Sequence, residues 1–250
     1  MKGPLTSECT LCDGTGWRPV QKGEWRAVEP CSCQASRRDL EWYMERAQIP
    51  PRFRHCNFED FLHNNSSLEM ARIKARGFAT NYPMVEKGLL FIGNPGVGKT
   101  HLTVAILKLL MEQKGVDCFF CNYLQLLKRI EESHDPIALR TSSDILEPVL
   151  ETAVVAIDDF GARRFTEWAE DTVTYILNYR YDQKKPTLLT SNLLESPEEV
   201  KERSFSGKYK VSDTLTDRIG IRIYSRLFEM CEKVSIHALD FRQQRSERLE

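Results

Sequence analysis

The chain has 250 residues, 41% of them hydrophobic, and a formal net charge of −1. That size and apolar content allow one core domain plus a small appendage and exclude a chain disordered throughout. Near-zero charge also excludes a nucleic-acid or membrane partner announced by overall charge, although a local basic patch can sit within a neutral total.

The opening MKGPLTSECTLCDG has no apolar h-region, and no later run approaches the roughly 20 apolar residues of a membrane helix, so a cytoplasmic protein with no membrane partner is expected. In a reducing compartment the 8 cysteines are expected as thiols or metal ligands rather than disulfides. Residues 1–36 are rich in Cys, Gly and polar residues and show little helical periodicity, the composition of a unit that needs a staple. Cys9 and Cys12, then Cys31 and Cys33, form two chelating pairs with 18 residues between them, a spacing that suits tetrahedral zinc, Zn2+. Gly14 and Gly16 can turn backbone N–H groups toward the thiolates. A redox pair would need a helix start that CDGTG does not supply; unmetallated thiols are the remaining alternative.

From Ser36 to Ala47, Leu40, Tyr43 and Met44 fall at helical spacing, and IPP ends that helix. Apolar stretches then alternate with amphipathic helices: GLLFIG (88–93), VDCFFC (116–121), AVVAID (153–158), TLLTSN (187–192) and KVSIHAL (233–239). Short apolar strands separated by helices predict an α/β fold with a parallel five-stranded sheet covered on both faces. Cys118 and Cys121 lie in one of these strands as core residues, and Cys56 and Cys231 have no second ligand pair. KERSFSGKYKVSD (201–213) is the most loop-like segment.

GNPGVGKT, comprising Gly93, Asn94, Pro95, Gly96, Val97, Gly98, Lys99 and Thr100, follows an apolar strand and opens a helix. That is the context a phosphate loop requires: glycines turn N–H groups toward phosphate, Lys99 reaches the β/γ-phosphates of ATP, and Thr100 binds Mg2+. His101 follows in the first helical turn and is counted with the loop as nucleotide-binding, with no chemistry of its own. The strand AVVAIDDFG delivers Asp158 and Asp159; Asp158 would organise Mg2+ and Asp159 would orient or deprotonate water. LLTSN ends in Asn192, an amide that can reach the γ-phosphate or simply cap a turn. If a helix restarts after Gly220, Ile223, Leu227 and Met230 form its apolar stripe, and Arg222 and Arg226 project together from another face.

These elements, with IGIRIYSRLFEMCEKVSIHALDFR (219–242), resemble the AAA+ ATPases of the DnaC/DnaI helicase-loader type and their relative, the IstB transposition ATPase, over roughly residues 47–242. The resemblance implies Asp158 and Asp159 as the acid pair, Asn192 as sensor 1, Arg226 as an arginine finger acting on a neighbour's ATP, and Arg242 as a sensor-2-like residue. It also implies self-association in the ATP state and no separate C-terminal lid domain. Asp159 stands where the wider class has glutamate, so slow, DNA- or partner-modulated turnover is expected. IPPRFRHCNFEDF (49–61) resembles the segment that wraps adenine, with Phe58 and Phe61 as stacking or core residues. The expected organisation is a zinc-binding unit at 1–36, a linker helix and adenine-wrapping segment at 37–56, and an AAA+ P-loop NTPase domain at 57–250.

Arg163 and Arg164 follow the acid pair on a loop and could track single-stranded DNA, as could Lys128, Arg129 and Arg140; Trp168 and Tyr175 read as helix-packing residues. The resulting expectation is an ATPase that loads a replicative DNA helicase. An IstB-like ATPase assisting transposition and a nucleotide-binding adaptor with little hydrolysis are the alternatives. A small-molecule kinase would leave SRL and TSN without a job.

Overall fold

In a computed structural model the described residues are 10–13, 15, 17–22, 25–31, 40–133, 141–193 and 214–241. The chain divides into two compact units, Met1–Arg46 and Ala47–Glu250. The first contains an antiparallel hairpin, β1 (Trp17–Lys22) and β2 (Trp25–Pro30), with Trp17 opposite Pro30. Residues 40–46 are helical (α1) and bury Met44. The hairpin escapes sequence reading because prolines and charges interrupt any period-2 pattern in WRPVQK and WRAVEP.

The second unit is built on five parallel strands: β3 (Gly88–Gly93), β4 (Cys118–Asn122), β5 (Val154–Asp158), β6 (Thr187–Ser191) and β7 (Cys231–Ile236). Their order is β4-β5-β6-β3-β7. All residues of β3, β5 and β6 are buried, as expected of strands covered on both faces. The last strand starts and ends earlier than the sequence pattern suggested. Cys231 pairs with Gly88, while residues 237–240 leave the sheet, and Phe241 donates its N–H to the Gly96 carbonyl at 3.2 Å.

Helices α2 (Ser66–Asn81) and α3 (Lys99–Lys114) pack together on one face of the sheet. On the other face, α4 (Tyr123–Glu132), α5 (Ser142–Glu151), α6 (Glu167–Asp182), α7 (Leu215–Ile219) and α8 (Ile221–Met230) cover Leu90, Ile92, Val155, Ile157 and Leu189. Gly220, at φ 80°, breaks the chain between α7 and α8, and Ile223, Leu227 and Met230 are buried as their spacing predicts. Three such side chains contribute roughly 5–9 kcal/mol of burial, enough to fix α8 as a platform. Cys118 and Cys231 are core residues; burial pushes the Cys121 and Cys231 thiols up to about 12. Tyr175 corrects the sequence reading: it is 52% exposed, its ring tilted toward that of Tyr179 at 6.4 Å, whereas Trp168 packs against the core.

Arg180 is fully buried, yet its bonds run to neutral acceptors. Its guanidinium donates to Thr187 Oγ1 and to the carbonyls of Val149, Leu150, Thr152, Ala153 and Pro186. This one side chain ties the end of α5 to the beginnings of β5 and β6, the edge of the sheet opposite the acids. Among the described residues, no helix is long and apolar enough to cross a membrane.

Candidate nucleotide site

Asn65, Asn122, Thr141, Thr166 and Thr214 cap α2, α4, α5, α6 and α7 with their side chains. Helix α3 starts differently. Its N-cap is Gly98, which offers no side-chain acceptor, so the first N–H groups and the helix dipole face the loop Gly93–Gly98. Gly96 (φ 78°) and Gly98 (φ 94°) lie in the left-handed region, and both are crowded as well. A Cβ on Gly96 would sit 1.7 Å from Asp240 Oδ1, and one on Gly98 would sit 2.6 Å from Phe61 Cε2. Phe61 and Phe58 are both buried, so packing accounts for them, and Phe61 does so under the loop.

Lys99 is 5% exposed and donates to the carbonyls of Gly93 and Asn94 and to Asn192 Oδ1 at 2.9, 2.7 and 2.6 Å. Asn192 turns its other end to Asp159, with Nδ2 3.0 Å from Oδ1. Asn122, at the tip of β4, approaches the second Asp159 oxygen at 3.4 Å while its own Oδ1 caps α4. Asp159 therefore lies between two amides, on a backbone at φ 57° that carries β5 into its turn.

Thr100 Oγ1 donates to Asp158 Oδ1 at 2.8 Å, and Thr190 Oγ1 donates to the same oxygen at 2.7 Å. Asp158 is 3% exposed. Burial pushes its carboxyl above the usual range; the two hydroxyls and Lys99 pull it back and Asp159 adds to the rise. A hydroxyl and a buried carboxylate are hard oxygen donors, and their convergence fits a magnesium ion. His101 donates from Nε2 to the Asn57 carbonyl at 2.6 Å, because a carbonyl can only accept; burial lowers its pKa.

The structure thus brings together the phosphate loop, Asp158, Asp159 and Asn192 at the carboxyl ends of β3, β5 and β6. Arg226 is bound elsewhere. Its Nε donates to Asn178 Oδ1 at 3.0 Å, its Nη1 pairs with Glu229 at 2.8 Å, and its guanidinium lies 4.4 Å from the Tyr181 ring centroid. Arg222 beside it is exposed. Arg163 and Arg164 are exposed on the loop after β5; Lys128 pairs with Glu132 at 3.5 Å, and Arg129 donates to Gln48. A cavity of about 1000 Å³ runs beside β4, lined by Phe53, Phe120, Asn122 and Ile145. It reaches Asp158 but none of the phosphate loop, so cavity size does not locate the nucleotide.

Cys12 and Cys31 are buried, and Cys31 directly follows the Trp17–Pro30 pair that opens the hairpin. Among the described residues no group of three or more His, Cys, Asp or Glu could hold a metal ion. Cys9, Cys33, Gly14, Gly16, Arg140, Arg242 and residues 201–213 lie outside the described residues. Thr190, Asn122 and Arg180 were missed from sequence; a Thr one residue before the TSN serine was the only local hint, and it is ordinary in a strand.

A family model described as IstB-like ATP binding protein matches residues 28–248. The uncharacterized Bacillus subtilis protein YqaM is 26% identical over 201 residues, covering 76% of this chain and 63% of YqaM. The replicative helicase loader DnaI of Bacillus subtilis is 33% identical over 116 residues, covering 46% of this chain and 35% of DnaI. A crystal structure of the DnaC helicase loader superposes with a TM-score of 0.63 and 32% identity, covering 75% of this chain and 100% of that one.

Proposed function

Since the chain belongs to the IstB-like ATP-binding family, an AAA+ family whose relatives include replicative helicase loaders, we propose that it is an ATPase that loads a replicative DNA helicase. The observation that carries this reading is the connected network from Lys99 through Asn192 to Asp159, with Thr100 and Asp158 beside it. Lys99 neutralises the β/γ-phosphates, and the N–H groups opening α3 hold them in place. Thr100 and Asp158 would hold magnesium, which supplies charge neutralisation on the phosphate oxygens. Asp159, fixed by Asn122 and Asn192, orients the attacking water, and Asn192 also reaches toward the γ-phosphate.

Arg226 acts on the nucleotide of a neighbouring copy, so ATP drives self-association. Its support is the family pattern together with its placement on α8, where its bonds run to α6 and α8. Arg163 and Arg164 engage single-stranded DNA, and Arg242 serves as the sensor-2-like residue. Cys9, Cys12, Cys31 and Cys33 hold zinc in a unit that docks on the helicase; the burial of Cys12 and Cys31 in a unit this small supports this.

Phosphate release measured with and without single-stranded DNA for the intact protein, Lys99→Ala and Arg226→Ala tests the reaction. Both variants are expected to lose turnover, and equal rates in all three would overturn the assignment. Metal analysis is expected to return about one zinc per chain; a Cys9→Ser/Cys12→Ser protein with full metal content would refute the site. A pull-down with replicative helicase and with a transposase separates loading from the transposition role that the resemblance to the IstB ATPase implies.

A further inference from the structure

The parallel ladder between β5 and β6 ends at the Ile157–Leu189 pair. Beyond it the chain turns through Asp158, Asp159 and Phe160, and the tip of β6 holds that turn in place of a ladder. Phe160 donates its N–H to the Thr190 carbonyl at 2.7 Å, and Ser191 Oγ donates to the Phe160 carbonyl at 2.9 Å. The central contact is a single hydroxyl. Thr190 Oγ1 accepts the Asp159 N–H at 3.0 Å and donates to Asp158 Oδ1 at 2.7 Å.

A hydroxyl has one proton. Because the Asp159 N–H is a donor, the Thr190 proton is committed to Asp158, and the side chain is fully buried. The same hydroxyl thus aims the carboxylate that Thr100 also meets and fixes the left-handed backbone from which Asp159 projects.

From this geometry we infer that Thr190 is a positioning residue that sets both acids at once, Asp158 for magnesium and Asp159 for water. This inference rests on the ATPase reading above. It acts on metal use and turnover more than on phosphate binding, because Lys99 is held by Gly93, Asn94 and Asn192 and meets Asp159 through the Asn192 amide.

The test uses the full chain carrying Thr190→Val, which keeps the β-branched shape and removes the hydroxyl, and Thr190→Ser, which keeps the hydroxyl. Three quantities are read: the magnesium dependence of kcat, the magnesium dependence of binding of a fluorescent ATP analogue, and analogue binding in EDTA, with thermal midpoints in parallel. Thr190→Val is expected to raise the magnesium needed for half-saturation and to lower kcat, each by about 10- to 100-fold, as expected for loss of a residue that orients a metal ligand. Binding in EDTA changes much less than either, since Asp159 reaches Lys99 through Asn192, and Thr190→Ser recovers most of both losses.

A Thr190→Val protein with parental magnesium dependence and kcat overturns the inference. So does a Thr190→Ser protein as impaired as Thr190→Val, or a loss confined to binding in EDTA. Lys99→Ala is run alongside. If the intact protein turns over no faster than that variant, the ATPase reading fails on its own, and the magnesium-titrated analogue binding still decides the role of Thr190.

Discussion

Replacing Arg180 with methionine separates the frame of the fold from its chemistry. Four of the acceptors lie within 2.9 Å of the guanidinium: Thr187 Oγ1 and the carbonyls of Val149, Thr152 and Pro186. Leaving three buried carbonyls without a donor costs about 1–3 kcal/mol each, or about 3–9 kcal/mol together. Against this stands the cost of burying a cation. Burial pulls the guanidinium down to about 10 from 12.5, which is worth roughly 3 kcal/mol. Methionine fills much of the volume and escapes that cost, so the net loss is the difference, on the order of 3 kcal/mol. For a unit of this size each kcal/mol moves the midpoint by about 2–4 °C, so Arg180→Met should melt on the order of 10 °C lower. Thermal unfolding followed by circular dichroism checks this, with ATP affinity measured at a temperature where both proteins are folded. Affinity should be unchanged, because Arg180 ties the beginnings of β5 and β6. An unmoved midpoint would refute the reasoning, as would lost affinity in a protein that melts normally.

His101 gives a pH prediction. Its pKa is lowered by burial, so the unfolded chain takes up a proton that the folded state resists; its stabilising contribution is present at neutral pH and is lost as pH falls from about 6.5 through the lowered value. His101→Gln should flatten the acid limb of a midpoint-versus-pH curve, and an unchanged limb would count against it. Gly96→Ala should cost at least about 1–2 kcal/mol from the left-handed backbone alone, plus the collision with Asp240. Asp240→Ala should restore part of that loss in denaturant melts but should do nothing for Gly98→Ala, which meets Phe61 instead. Finally, an equimolar mixture of Lys99→Ala and Arg226→Ala should hydrolyse ATP faster than either alone, since one supplies intact nucleotide sites and the other an intact arginine; strictly additive rates would exclude action between copies.

The parts of the site that could be read from sequence are those whose chemistry is contiguous. Gly93 to Thr100 is one unbroken run between a strand and a helix, and the acids follow an apolar strand, so periodicity and residue type suffice. Ile223, Leu227 and Met230 likewise announce the buried side of α8. Partners that meet across the sheet stayed hidden. Asn122 and Asp159 are 37 residues apart in the chain, and Thr190 and Asp158 are 32 apart, joined only because β4, β5 and β6 end side by side. Arg180 was invisible for a related reason. A charged residue in a helix reads as solvated, and nothing in its neighbourhood shows that five backbone carbonyls will converge on it.

Asn192 has a consequence of its own. One end of its amide accepts from Lys99 and the other donates to Asp159, so occupancy at the lysine and the posture of the acid are read by the same small group. Such a connection is reciprocal: whatever factor the arrival of phosphate imposes on the acid's arrangement, a change at the acid must return to phosphate affinity in equal measure. A substitution made to slow hydrolysis at Asp159 is therefore also a substitution in the binding isotherm, and a trapped ATP state obtained that way will carry an altered affinity along with its lost turnover.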